Sequence, residues 1–275
     1  FESLTPPLHV LLWRRLAGKF TTHRNPLFSP STDLHISTIA SDTLHTLHLG
    51  VYKAFCLKAL WALILSDAWD TRASNKDELI HISCLRCKAD LFAWYRRQLA
   101  LRPSQPLQKL QYVKPTMLVS EAHPSLSTKA AETGSLLGFC RERVNQHVYK
   151  LGNEGRSLAT VGNSLVACRA VMAESGPVLN AGQHADLCHH ARVAFEARDE
   201  AGIPFTPKWH LFLHICERAI RQGNPRFQST FVDEGYNGRL AALAACCHRM
   251  TWHKRVLAGF RGVFTMPKKR AWNRR

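Results

Sequence analysis

The residues of this chain that could do chemistry are two groups of acids. Asp233 and Glu234 stand together at the head of a helical pattern, and Asp42 lies between His35 on one side and His45 and His48 on the other. An acidic pair at a helix start favours the positive end of the helix dipole and acts as a cap. The sharper reading holds Glu234 beside an acid from elsewhere in the chain, as metal-assisted phosphoryl transfer requires. An aspartate such as Asp42 is by itself an ordinary cap or turn residue. Three further constellations have metal-ligand character. Cys84 and Cys87 have C-x-x-C spacing, but no second pair completes a zinc signature. His210 and His214 lie one helical turn apart with Glu217 toward the same side, without the H-E-x-x-H pattern of a zincin. Cys246, Cys247 and His248 specify neither a triad nor a metal site.

The elements that must position these residues follow from periodicity. Trp209, Phe212, Leu213, Cys216 and Ile220 recur at helical spacing after Pro207, so Lys208 to Gln222 reads as an amphipathic helix stopped by Gly223, Asn224 and Pro225. A second helix opens at Asp233 and Glu234, with Leu240, Leu243, Ala244 and Cys247 on one side. Upstream, the β-branched residues before Asp42 predict a short strand ending near Ala40, which would expose the carboxylate at the strand's end. Val10, Leu11, Trp13 and Leu16 mark a short helix after Pro6 and Pro7. Tyr52 to Leu65 and Leu85 to Leu101 read as helices, with a polar loop over Asp67 to Asp77 between them. The segment from Leu110 to Val119 reads as a connector, because Pro115 disfavours a central strand. Three more helices follow, marked by Leu136 to Val148, Leu158 to Met172 and Ala181 to Ala201, with Gly152 and Gly155 separating the first two. Their spacing does not repeat.

The chain has 275 residues, 45% of them hydrophobic, enough for one large core or two modest ones. Against 37 Lys and Arg stand 20 Asp and Glu, a formal net charge of +17, which favours nucleic acid or another polyanion as partner. Nine cysteines at mostly apolar helical positions, an odd number, point to buried thiols in a reducing, intracellular compartment. Phe1 opens no basic leader with a hydrophobic core, so no intact signal peptide is expected and the chain reads as a fragment. The apolar run Val51 to Leu65 contains Lys53 and Lys58, falls short of a bilayer, and reads as a buried helix, so no membrane is expected. At the other end, Lys268, Lys269, Arg270, Arg274 and Arg275 surround Trp272, a cluster suited to phosphate contact and base stacking or to a solvated terminus.

The run Asp42, Leu44, His45, Leu49, Gly50, Val51 resembles the D-x-L-H-x-x-x-x-G-V region of CACTA-like and related eukaryotic DNA transposases. Pro207, Lys208, His210 and His214, followed by Glu234 and Asn237, resemble their C-terminal P-K-x-H and glutamate region. The resemblance spans roughly Ser31 to Phe260. It implies a mainly α chain with a truncated RNase H-like α/β portion interrupted by a large helical insertion. The implied organisation is residues 1–66 with the acidic motif, 67–205 as insertion, 206–265 with Glu234, and 266–275 as basic tail. Asp42 would be the second catalytic carboxylate and Glu234 the third, holding Mg²⁺ or Mn²⁺ for DNA cleavage and strand transfer, in the nucleus. The family's first aspartate has no counterpart in Phe1 to Pro30, which leaves catalysis open and a derived DNA-binding role beside it. DNA is the favoured partner, with RNA, protein partners or a homo-oligomer as further expectations. The alternative is a noncatalytic structural component of an RNA-protein assembly.

Overall fold

The computed structural model describes residues 40–103, 107–118 and 125–265. The early helix at Val10 to Leu16, His35 with most of the expected strand, and the basic tail with Lys268, Lys269, Arg270, Trp272, Arg274 and Arg275 lie outside these residues. Among the described residues every regular element is helical. The mainly α expectation therefore holds, and no part of an RNase H-like sheet is present among them.

The apolar heart is a continuous helical rod. A π-helical segment, Leu44–Val51, runs directly into α1, Tyr52–Leu65. Together they make 22 residues, with an 18-residue window of mean hydropathy 1.4, long and apolar enough to cross a membrane by length and composition. Val51 to Leu65 alone looked too short for that, and the π-helical turns supply the difference. The rod is nonetheless a core helix: Leu44, Val51, Phe55, Cys56, Ala59 and Leu63 are each fully buried by neighbouring helices. Its apolar residues occur all round the helix, as expected for an element with neighbours on several sides, although His45 and Leu65 toward its two ends are exposed.

Around it pack α2 (Lys76–Leu101), α3 (Ala130–Gln146), α4 (Gly152–Glu174) and α6 (Pro207–Gln222), with α5 (Ala181–Ala197) packed on α4 and α6. Each begins for a local reason. Asn75 accepts a hydrogen bond from the Glu78 amide at 2.9 Å, and Glu78 accepts one from Ser74 at 2.8 Å, so α2 starts within the polar stretch rather than at Leu85. Asn180 and Gln183 form the reciprocal capping box of α5. Pro207 occupies the first turn of α6, where its missing amide costs nothing, and Gly223 at φ 85° ends that helix. Gly152 opens α4 with φ 65°, so Gly155 sits inside the helix instead of in a break.

The buried stripe of α6 is Trp209, Phe212, Ile215, Cys216 and Ala219, while Ile220 is 44% exposed. The buried face is thus rotated from the expected stripe: it centres on Phe212 and Ala219, and Ile220, one residue past Ala219, lies about 100° further round the helix. Glycine sets close approaches where helices cross. A Cβ on Gly162 of α4 would stand 2.6 Å from Phe55 Cζ, a ring with 0% exposure. At the C-terminal end of α4, buried Asn224 donates through Nδ2 to the carbonyls of Met172 and Gly176 at 2.9 and 3.0 Å, and its amide donates to Pro177 at 2.8 Å. One side chain thereby satisfies carbonyls that the helix leaves orphaned.

After the turn Pro225–Phe227, helix α7 (Phe231–Ala245), a turn at Arg249–Thr251 and α8 (Trp252–Thr265) complete the order. Helix α7 has no buried residue, and Leu240, Leu243, Ala244 and Cys247 are only half-buried. The two helices pack on each other where Gly259 faces Leu243.

Candidate functional site

Asp42 stands at the head of the helical run that opens with Thr43 and the π-helical segment. Its carboxylate does the work of a cap: Oδ1 accepts from the Leu44 amide at 3.0 Å and Oδ2 from the His45 amide at 3.2 Å. It also reaches across the chain. The amide and hydroxyl of Thr230, 188 positions away, donate to Oδ1 at 3.0 Å and Oδ2 at 2.9 Å. The neighbouring Thr43 amide donates to the Gln228 carbonyl at 3.1 Å. These bonds fasten the start of the rod to the segment that opens α7.

That fastening brings the two acids of the sequence motifs to one place. Glu234 lies in the first turn of α7, and its Oε1 is 3.2 Å from His45 Nε2. The other ring nitrogen, Nδ1, hydrogen-bonds Asp42 Oδ2. His45 therefore sits between the carboxylates, and a protonated ring donates to both. The three-residue spacing from Asp42 to His45 puts both on one side of a helical turn, which is the signal by which the sequence could have identified the bridge. Asp233 is exposed.

The electrostatics follow from these contacts. Partial burial pushes the Asp42 carboxyl up, but the hydrogen bonds from His45, Thr230 and Leu44 outweigh it and bring the group down to about 2. Behind the acids, His48 has a different environment. Its Nδ1 donates to the Ala130 carbonyl at 3.0 Å, and its ring meets Phe231 and Tyr52 edge to face, with centroids 5.0 and 5.3 Å away. Burial pushes this imidazole down to about 4, so it is neutral at pH 7 and serves as packing between the rod, α3 and α7.

The motif containing Gly50 and the motif containing Lys208 interlock a short distance along the same segment. Lys208 Nζ donates to the Leu49 carbonyl at 2.9 Å, and a Cβ on Gly50 would lie 2.5 Å from Lys208 Cδ. Glycine at position 50 leaves the lane through which the lysine stem passes. Beside it, Lys53, Ala54, Leu57, Leu126 and Pro207 line an open depression of about 400 Å³.

As a metal centre the acidic site has a specific difficulty. Every lone-pair direction of Asp42 faces a protein donor, so an ion would have to displace His45 or Thr230. Among the described residues no group of three or more His, Cys, Asp or Glu is poised to hold an ion. The donor set as arranged does not fit a two-ion clamp. The C-x-x-C pair belongs to the packed core: Cys84 and Cys87 are 1% exposed, and burial pushes the Cys84 thiol up to about 11 and the Cys87 thiol well above its ordinary value. Cys56, Cys140, Cys168 and Cys216 are likewise buried free thiols, and Cys246 is exposed. His248 caps the turn before α8, accepting the Met250 amide at 3.3 Å. No family model matches the chain, and no curated protein or solved structure matches it.

Proposed function

We propose that the chain is a transposase-like, DNA-binding protein in which Asp42 and Glu234, bridged by His45, are the counterparts of that family's acidic motifs. The observation that carries this reading is the meeting of the two motif acids across one imidazole, although the whole series of helices α1 to α6 separates them in sequence. The excess of 37 basic over 20 acidic residues supplies long-range attraction for DNA. Because Asp42 is saturated by protein donors, no step through Mg²⁺ or Mn²⁺ is derived, and DNA binding is the function proposed.

The test is duplex binding across a salt series, together with nicking of supercoiled plasmid in Mg²⁺ and in Mn²⁺. Wild-type protein should bind duplex DNA with affinity that falls steeply as salt rises. Metal-dependent nicking that vanishes in Glu234→Gln would extend the reading to catalysis. Absence of duplex binding at low salt would overturn it.

A second reading, a noncatalytic component of an RNA-protein assembly, is favoured by the apolar residues that the α7–α8 pair leaves exposed: Val232, Met250, Trp252 and Leu257 are 48% exposed or more. A structured RNA that outcompetes duplex DNA of equal length and charge would select it.

A further inference from the structure

The helix that carries the P-K-x-H motif holds a second constellation, away from Asp42 and Glu234. His210 and His214 occupy successive turns of α6, and their Nε2 atoms are 3.0 Å apart, with ring planes 82° to each other. An ion bound at imidazole distances of roughly 2.0–2.1 Å requires two ligand nitrogens about 2.9 Å apart at a right angle, or about 3.4 Å apart at the tetrahedral angle. The observed separation lies at the right-angle end of that range. Square-planar and octahedral ions that prefer imidazole, Ni²⁺ and Cu²⁺, demand that angle.

The ring nitrogens away from this meeting point are also organised. Glu217 Oε2 lies 3.4 Å from His214 Nδ1, on the next turn of the same helix. A carboxylate accepting the Nδ1 proton selects the tautomer whose Nε2 lone pair points toward His210, the usual arrangement behind a metal-ligating histidine. The backbone between the two rings is fixed: Trp209, Phe212 and Cys216, on the opposite face, are 0%, 0% and 1% exposed. His210 is exposed, which leaves an approach from solvent. On the neighbouring α5, His184 Nε2 bonds the Glu217 carbonyl at 3.1 Å and Cys188 Sγ at 3.4 Å.

We propose that His210 and His214 form a two-imidazole chelate for a nitrogen-preferring divalent transition ion of the Ni²⁺ or Cu²⁺ class, with Glu217 positioning His214 and water completing the coordination. The site is independent of the DNA-binding reading.

Untagged full-length protein at pH 7.5 would be titrated with Ni²⁺ alone by calorimetry, and its thermal midpoint followed with and without the ion. Wild type should bind one more equivalent of Ni²⁺ than either His210→Ala or His214→Ala, and the ion should raise its midpoint more than theirs. Glu217→Gln should retain the equivalent with affinity reduced about 10–100-fold, the cost of losing an outer partner. Circular dichroism of each variant establishes that it is folded before comparison, and the exposed position of His210 makes its alanine variant the decisive one. Equal stoichiometry and equal thermal response in wild type and His210→Ala would overturn the proposal.

Discussion

Asp42 is written in the sequence as an acid beside histidines, and its role turns on what lies 188 positions downstream. The Thr230 amide and hydroxyl, with the Leu44 and His45 amides, convert an ordinary carboxylate into a part-buried fastening. Its lowered pKa and that of His48 divide the acid limb of stability between them. His48 is held neutral down to about pH 4 while an unfolded chain protonates it near its ordinary value. The unfolded state therefore binds more protons in that interval, and the contribution of His48, complete above pH 6.5, is lost as pH falls toward 4. Asp42 has the same sign in a lower window, its contribution present above about pH 4 and lost as pH falls toward 2. Urea unfolding as a function of pH should show His48→Phe flattening the slope between pH 6.5 and 4, and Asp42→Asn flattening it below 4. A wild-type slope in His48→Phe would show that the imidazole does not titrate as its burial requires. The thiols show the same dependence on surroundings: a C-x-x-C spacing is legible in sequence, but the burial that makes Cys84 and Cys87 packing groups is not.

At the scale of elements, the sequence signals were strongest where the determinants are local. Pro207 and Gly223 bracket α6 because one fixes φ and the other tolerates a positive φ, properties that need no tertiary partner. The start of α2 was equally legible, since Asn75 followed three residues later by Glu78 is a capping signal, but the polarity of the stretch masked it. The π-helical segment shows the converse. β-branched residues raise strand propensity, yet Thr46 is buried inside this helical run, which packs against α3 and α6. Asn224 illustrates an element joined by one residue. Replacing it with alanine strips the bonds to the Met172, Ser175 and Gly176 carbonyls in a site that is 1% exposed, and should cost about 2–3 kcal/mol in chemical denaturation. A loss below about 0.5 kcal/mol would mean that water replaces the amide. The enlarged core contact of Gly162→Ala, against Phe55, should cost about 1–3 kcal/mol by the same measurement.

For the whole molecule, electrostatics and packing make separable predictions. Deleting Met266 to Arg275 removes Lys268, Lys269, Arg270, Arg274 and Arg275 with Trp272, and should weaken duplex DNA binding and shallow its salt dependence, because fewer phosphate contacts release fewer counterions. The core runs from Leu47 to Ala219, so helicity by circular dichroism should be retained. An unchanged salt slope with unchanged helicity would reject a role for the tail in phosphate contact. Composition alone determined the basic character, and periodicity alone determined that the chain is mainly helical, since both depend on residue types and near-neighbour spacing. Only the tertiary structure decided that Asp42 and Glu234 share one imidazole, that Lys208 crosses Gly50, and that the rod from Leu44 to Leu65 is enclosed by protein. Those outcomes depend on which surfaces meet after the chain closes on itself. Residues far apart in sequence carry no local signal of their partners.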